Sequence, residues 1–130
     1  MVLAMVLVFL GGAAGSMWRF WWSGLVAERF GETFPFGTLV VNTVGSILVG
    51  LFAGFLMHVS NSSLASALQQ LLVIGICGGL TTFSSFSLQT LALAQEGEWF
   101  RAMMNSVASF ALCLAAVWIG HSAVSIINKS

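Results

Sequence analysis

Long apolar stretches alternate with short polar links along the chain. Four stretches are nearly free of charged residues, and the four basic and four acidic side chains fall mostly between them or at their ends. A helix needs about 20 apolar residues to cross about 30 Å of hydrocarbon, and each stretch reaches that length. The pattern therefore predicts four transmembrane helices, at about 2–26, 38–59, 64–94 and 102–127.

The links between the stretches are short and polar. They read "ERFGETFPFG", "SNSS" and "QEGEWFR", which leaves no room for a water-soluble domain. The 130 residues are 58% hydrophobic and 6% charged, a composition that excludes an ordinary soluble protein. We therefore expect an all-α integral membrane protein, a single transmembrane subunit over 1–130, whose function resides in its spans.

The distribution of basic residues leaves the orientation of the chain weakly determined. With four spans, Lys129 lies on one side of the membrane, while Arg29 and Arg101 lie on the other with Arg19 nearby. Because short-loop Lys and Arg set orientation, so small a difference predicts insertion in both directions. Two oppositely oriented copies would then pair as an antiparallel homodimer about an axis in the membrane plane, like an inverted repeat.

The third span contains the segment "GICGGLTTFSSFS", which is unusual at membrane depth. Paired glycines are sites of helix interruption, so a break is predicted near 78–82. Non-helical backbone inside a membrane is tolerated only where it is buried in protein or lines a cavity. A broken third helix therefore indicates a site of function.

Small residues recur every fourth position in three of the spans. Examples are Gly11 with Gly15, Gly50 with Gly54, and Gly75 with Gly79. Such faces let helix backbones approach closely in lipid. They predict tight helix packing and carry no chemistry of their own.

Neutral polar side chains lie inside three spans. In a membrane they need partners or water, since each unsatisfied group costs several kcal/mol. Two interpretations remain open: a hydrogen-bonded seam between helices, or a pathway for a small ion. The candidates on the second and third spans are Thr38, Asn42, Ser84 and Ser87, the two serines alternating with Phe83 and Phe86; those on the fourth, spaced by one turn, are Asn105, Ser109 and Cys113.

Other functional classes have less support. A proton-coupled antiporter of the small multidrug type needs an ionisable carboxylate within the membrane, and all four glutamates lie in links. A nonconducting assembly subunit would leave the polar positions unexplained. An enzyme is not expected, since no nucleophile, base and orienting group occur together.

Three motifs occur in order along nearly the whole chain: "GGAAGSMWRF", "GTLVVNTVGS" and "GICGGLTTFSSFS". In these motifs the sequence resembles the Fluc (CrcB) family of fluoride channels. The resemblance implies a multi-pass protein of the inner membrane that passively exports fluoride. It also implies a dual-topology homodimer with two antiparallel pores and a central structural sodium ion. The expected partners are fluoride, sodium, the lipid bilayer and a second copy of the chain, with no nucleic acid.

The resemblance also assigns roles to particular residues. The family's pore asparagine falls on Asn42 and its pore phenylalanines on Phe83 and Phe86. The main-chain carbonyls of Gly78 and Thr81 fall at the sodium site. The resemblance further implies a vestibule position for Arg19 and a polar track along the fourth span, at Asn105, Ser109 and Cys113.

The implied chemistry suits fluoride, a small and strongly hydrated anion. Amide and hydroxyl donors such as those of Asn42 and the serines would offset its dehydration. Aromatic rings have a positive edge, so Phe83 and Phe86 could present their edges to a passing anion. A fixed cationic side chain in mid-pore would hold the ion too tightly for conduction.

Overall fold

The computed structural model describes residues 1–127, and all of its regular structure is helical. Four helical runs are long and apolar enough to cross a membrane: Val2–Phe30, Phe36–Leu56, Ser62–Gln95 and Trp99–Ile127. This confirms the predicted all-α membrane protein with four spans. Lys129, on which the orientation hypothesis partly rests, lies outside the described residues. The elements are α1 (Val2–Phe30), α2 (Phe36–Leu56), α3 (Ser62–Leu68), a π-helical segment (Gln69–Cys77), α4 (Gly78–Leu80), α5 (Phe83–Gln95) and α6 (Trp99–Ile127).

Helix ends differ from the predicted spans by a few residues. The first helix continues past residue 26 because neither glycine nor proline occurs between that residue and Gly31. Gly31 has a φ of 78°, which glycine adopts at little cost, and its N–H donates to the Ala27 carbonyl. The second helix begins directly after Pro35, whose fixed φ suits a helix start, and its last residue is Leu56. The first helix therefore extends beyond its apolar stretch, whereas the second ends before its predicted bound at 59.

Two close helix pairs organise the bundle, and one of them joins α2 to α6. A methyl group on Gly50 would meet the Val117 carbonyl, and one on Gly120 would meet the Ile47 carbonyl. The backbones are thus in direct contact at both positions. In lipid, such close approach supplies the van der Waals packing that holds helices together.

The other close pair joins α1 to the π-helical segment. A methyl group on Gly11 would meet the Leu71 carbonyl, and one on Gly15 would meet the Ile76 carbonyl. These contacts confirm that the small-residue faces are packing surfaces. The π-helical segment itself was not predicted, because its sequence has the same apolar character as an ordinary transmembrane helix.

Most large apolar side chains point away from the bundle. Phe20 is 85% exposed and Trp118 is 72% exposed, while the small core includes Val41, Leu80 and Phe86. A surface this apolar is stable only against lipid or another protein surface. The exposed faces therefore agree with a membrane location.

Candidate functional site

The third span loses its helical conformation at Thr81 and Thr82. Thr81 has φ −84° and ψ 153°, and Thr82 has φ −152° and ψ 112°. Both residues are extended, and α5 begins at the next residue, Phe83. The Thr81 N–H and the Thr81 hydroxyl both donate to the Cys77 carbonyl oxygen, each at 2.9 Å. This single carbonyl oxygen therefore accepts two hydrogen bonds at the end of α4.

Asn42 pairs with both backbone groups of Thr82. Its Nδ2 donates to the Thr82 carbonyl at 3.1 Å, and its Oδ1 accepts from the Thr82 N–H at 2.7 Å. In a continuous α-helix that N–H would donate to the Gly78 carbonyl. A side chain of α2 thus replaces the helical partners lost in the third span.

The Thr82 hydroxyl organises the first turn of α5. Its oxygen accepts from the Ser85 N–H at 3.2 Å, and its O–H donates to the Ser85 hydroxyl oxygen at 3.0 Å. It also lies 3.2 Å from the Ser84 hydroxyl. Threonine is a favoured N-cap because its oxygen satisfies an N–H that has no intrahelical acceptor. Ser84 is therefore held in this cap.

A cavity of about 370 Å³ opens beside the extended residues. Its walls carry amide, hydroxyl, thiol, aromatic and aliphatic groups, with no charged side chain among them. The Ser109 side chain is largely buried, at 8% exposure, and makes no hydrogen bond within residues 1–127. Its hydroxyl is therefore available to a guest. The lining residues are Asn42, Ser46, Val49, Thr81, Thr82, Phe83, Phe86, Ser109, Phe110, Cys113, Leu114 and Val117.

Three aromatic rings meet at this cavity. The ring centroids of Phe83 and Phe86 are 5.3 Å apart. Phe86 also packs edge to face on Phe110, at 6.4 Å and an interplanar angle of 88°. Such tilted arrangements turn ring edges, which carry partial positive charge, toward neighbouring groups. Phe110 was missed in the sequence because it is apolar and lies beside the polar stripe of the fourth span.

Four of the predicted polar residues lie outside the lining of this cavity: Thr38, Ser84, Ser87 and Asn105. Asn105 is 2% exposed, and its Nδ2 donates to the Thr90 hydroxyl at 2.9 Å. That hydroxyl in turn donates to the Phe86 carbonyl at 2.8 Å. Ser87 is exposed and donates to the Phe83 carbonyl. Asn105 thus links α6 to α5 by a hydrogen bond. At this one position the structure favours a hydrogen-bonded seam between helices over an ion pathway.

A larger cavity of about 1240 Å³ also borders the extended residues, at Thr82. Thr38, Ser85 and Gln89 line it, as do Arg19 and all four glutamates of the chain. Thr82 lines both cavities. The sequence did not predict a role for Thr82, because nothing in the local sequence distinguishes it from the adjacent Thr81.

Main-chain carbonyls at the break have the chemistry of a cation site. The Gly78 carbonyl is without its usual N–H partner, and the Thr81 carbonyl belongs to an extended residue. Carbonyls freed by unwound helices are ligands for sodium in membrane proteins, so the donor set fits this ion. Arg19 Nη1 lies 3.5 Å from the Thr81 carbonyl. Residues 1–127 have no group of His, Cys, Asp or Glu side chains placed to hold a metal ion.

Comparison with known proteins places the chain in a family. The family profile described as "CrcB-like protein, Camphor Resistance (CrcB)" matches residues 6–121. The chain belongs to the CrcB family. The matched range includes every candidate residue named above, so the family comparison covers both cavities and the extended residues.

Individual relatives of this CrcB protein are similar over almost their whole length. A relative from Paramagnetospirillum magneticum is 51% identical over 128 residues, which cover 98% of this chain and 100% of the relative. One from Opitutus terrae is 51% identical, with 94% and 92% covered. One from Rhodospirillum rubrum is 48% identical, with 94% and 95% covered. Each of the three relatives is named fluoride-specific ion channel FluC.

Proposed function

We propose that this CrcB protein is a fluoride-selective ion channel of the inner membrane, which passively exports fluoride and so lowers its cytoplasmic concentration. The observation that carries the proposal is the uncharged cavity lined by Asn42, Ser109 and the phenylalanine rings. It lies in a chain whose relatives carry the name of a fluoride channel. A site of neutral dipoles favours the ion enough for entry and releases it fast enough for conduction.

The two cavities suggest a route for the ion. The larger cavity, with Arg19 and Thr38, is the vestibule. Four glutamates also line it, so attraction for an anion is local to Arg19, whose Nη1 lies 3.5 Å from the Thr81 carbonyl. Thr82 borders both cavities and marks the passage from the vestibule to the narrower cavity. There the donors are the second N–H of Asn42 and the hydroxyl of Ser109, and the ring edges of Phe83 and Phe86 face the ion. Cys113 adds a weak donor one turn beyond Ser109.

The positions of the carboxylates argue against the alternative function, a proton-coupled antiporter. All four glutamates line the larger cavity, and Glu98 forms an ion pair of 3.4 Å with Arg101 that is half exposed. None of them lines the narrower cavity. A proton-coupled exchanger needs its carboxylate at the substrate site within the membrane.

A dual-topology homodimer is part of the proposal. Phe83 is 70% exposed in the single chain although it lines the cavity. A second, antiparallel copy would cover this ring and close the cavity against lipid. Tags on the C-terminus of the chain in native membranes test this: dual insertion predicts protease-accessible tags on both sides, and tags on a single side would contradict it.

The sodium ion is also part of the proposal. The carbonyls of Gly78 and Thr81 would hold it, and the ion would share the Thr81 carbonyl with Arg19 Nη1, which lies 3.5 Å from that oxygen. Replacing sodium by a large organic cation should then abolish fluoride flux from reconstituted dimers. Undiminished fluoride flux after thorough exchange would contradict a role for sodium, whereas the proposed fluoride channel function would still stand.

The experiment that tests the proposed function is anion efflux from liposomes containing the purified protein, followed with fluoride and chloride electrodes. Fluoride should leave rapidly and chloride should be retained. Fluoride release should fall in the variants Phe83→Ile and Asn42→Ala. Well-folded protein that releases no fluoride would contradict the proposal.

A further inference from the structure

The paired hydrogen bonds between Asn42 and Thr82 join positions 40 residues apart in sequence. The planar side-chain amide presents one donor and one acceptor in the same arrangement as a backbone peptide group. Thr82 receives both of them at its own N–H and carbonyl. The asparagine therefore acts toward this residue as a neighbouring backbone segment would.

The need for such a partner follows from the break in the third span. Thr81 and Thr82 are extended, so their backbone groups have left the helical hydrogen-bond pattern. Polar backbone groups at membrane depth cost several kcal/mol each when they stay unsatisfied. Thr82 is buried, at 9% exposure, which removes water as an easy substitute.

We propose that Asn42 is a positioning residue for the pore, whose side chain holds Thr82 in its extended conformation. This role deepens the proposed channel function and rests on it for its consequence, whereas the backbone contact itself is independent of fluoride flux. It also differs from direct contact with the ion, for which one of the two N–H groups of Asn42 stays available.

Several elements of the site depend on the position of Thr82. Its hydroxyl caps α5, so the orientation of Phe83 and Phe86 on the first turn of that helix follows from it. Its N–H is withheld from the Gly78 carbonyl, which stays free for a cation. Thr82 also lines both cavities, so its displacement would change the passage between them. The Asn42 amide thus determines three features: the orientation of the two phenylalanine rings, the availability of the Gly78 carbonyl, and the shape of the passage between the cavities.

Other side chains at position 42 would supply only part of this pairing. Alanine offers neither donor nor acceptor. Serine has one hydroxyl that is too short to reach both groups of Thr82. An ionised aspartate can accept from the Thr82 N–H but faces the Thr82 carbonyl with a second oxygen. Glutamine keeps the amide but moves it one methylene farther out.

The first test uses the unaltered protein in lipid bilayers and solid-state NMR. With ¹³C-labelled asparagine and ¹³C,¹⁵N-labelled threonine, dipolar recoupling measures the separation of Asn42 Cγ from the assigned Thr82 amide nitrogen, resolved from that of the adjacent Thr43. The proposal expects a separation under roughly 4 Å, given the hydrogen-bond length typical of such a pair, together with threonine carbon shifts of an extended backbone. A longer separation in conducting protein would overturn the proposal.

The second test compares Asn42→Ala with Thr43→Val, a matched control at the next position. The Thr43 hydroxyl donates within its own helix to Leu39, and the residue lines neither cavity. In Asn42→Ala, amide exchange at Thr82 should rise roughly tenfold, as expected for loss of a buried hydrogen bond. Exchange at Thr90 on the same helix should not change. The control should match wild type in exchange and flux.

The outcomes separate positioning from ion contact and from the channel function. Lost fluoride flux in Asn42→Ala with unchanged exchange and carbon shifts at Thr82 would make Asn42 an ion ligand only, and would overturn the proposal. If Asn42→Ala does not fold, the separation measured in wild type still decides the matter. If wild-type protein shows the close separation but no fluoride flux, the channel function fails while the backbone contact stands.

Discussion

The rings of Phe83 and Phe86 contact each other, with centroids 5.3 Å apart and planes inclined by 50°, but their surroundings differ greatly. Phe83 is 70% exposed and Phe86 is 8% exposed. Both line the narrower cavity. The two residues therefore share a place in the proposed pore while only Phe86 belongs to the core of the single chain.

This difference separates two effects of mutation. We expect Phe83→Ile to lower fluoride flux at least about tenfold, equivalent to about 1.4 kcal/mol in the barrier, with little loss of subunit stability. Phe86→Ile should lower flux and also stability, because the ring packs on Phe110. Efflux assays and unfolding in mixed micelles measure the two quantities. Equal stability losses would contradict the expectation that Phe83 contributes less to the packing of its own subunit than Phe86.

Cys113 provides a probe of the cavity. It lines the narrower cavity and is partly exposed, whereas Cys77 is 1% exposed. We expect a small charged thiol reagent to modify Cys113 at least about ten times faster than Cys77, since reaction requires access to the sulfur. Modification should reduce fluoride flux, and Cys113→Ser should be insensitive to the reagent. Full flux after stoichiometric labelling of Cys113 would place it outside the conduction path.

Gly120 tests the close contact between α2 and α6. A methyl group there would meet the Ile47 carbonyl, while one on Gly12 would meet nothing within 4 Å. Gly120→Ala should therefore destabilise the fold by about 1–3 kcal/mol, as overpacking does. Gly12→Ala should unfold like wild type in the same detergent titration. Identical unfolding curves for the two variants would mean that α2 and α6 can move apart without loss of stability.

Asn105 and Thr90 test the seam between α5 and α6. Their side chains share a hydrogen bond of 2.9 Å, so Asn105→Ala and Thr90→Val should be non-additive in a double-mutant cycle. Interhelical hydrogen bonds in membranes contribute about 0.6 kcal/mol on average, which sets the expected coupling. Strict additivity would indicate that the two side chains do not interact in the bilayer.

Apolar length and charge position predicted the spans well because hydrocarbon thickness imposes a single constraint on each helix. The four spans are confirmed, and so is the family suggested by the motifs. The small-residue faces could also be predicted from the sequence, since glycines spaced by four residues, such as Gly50 and Gly54, have few other uses inside a membrane helix. These features depend on local sequence alone.

The details of the site depend on contacts between distant positions. Asn42 was recognisable as a polar residue in a span, but its partner Thr82 lies 40 residues away. Asn105 and Ser109 share a stripe, yet Asn105 bonds to Thr90 while Ser109 faces the cavity. The helical spacing of these two residues could not predict their different partners, because the packing of neighbouring helices determines which part of a polar stripe is enclosed. Dual topology, the homodimer and bound sodium stay predictions.

The most direct test of fluoride selectivity is the reversal potential of the purified protein in a planar bilayer, with fluoride on one side and chloride on the other. The channel account predicts a current whose reversal potential follows the fluoride gradient and does not respond to changes in chloride. A reversal potential that follows chloride, or the absence of current from well-folded protein, would contradict it.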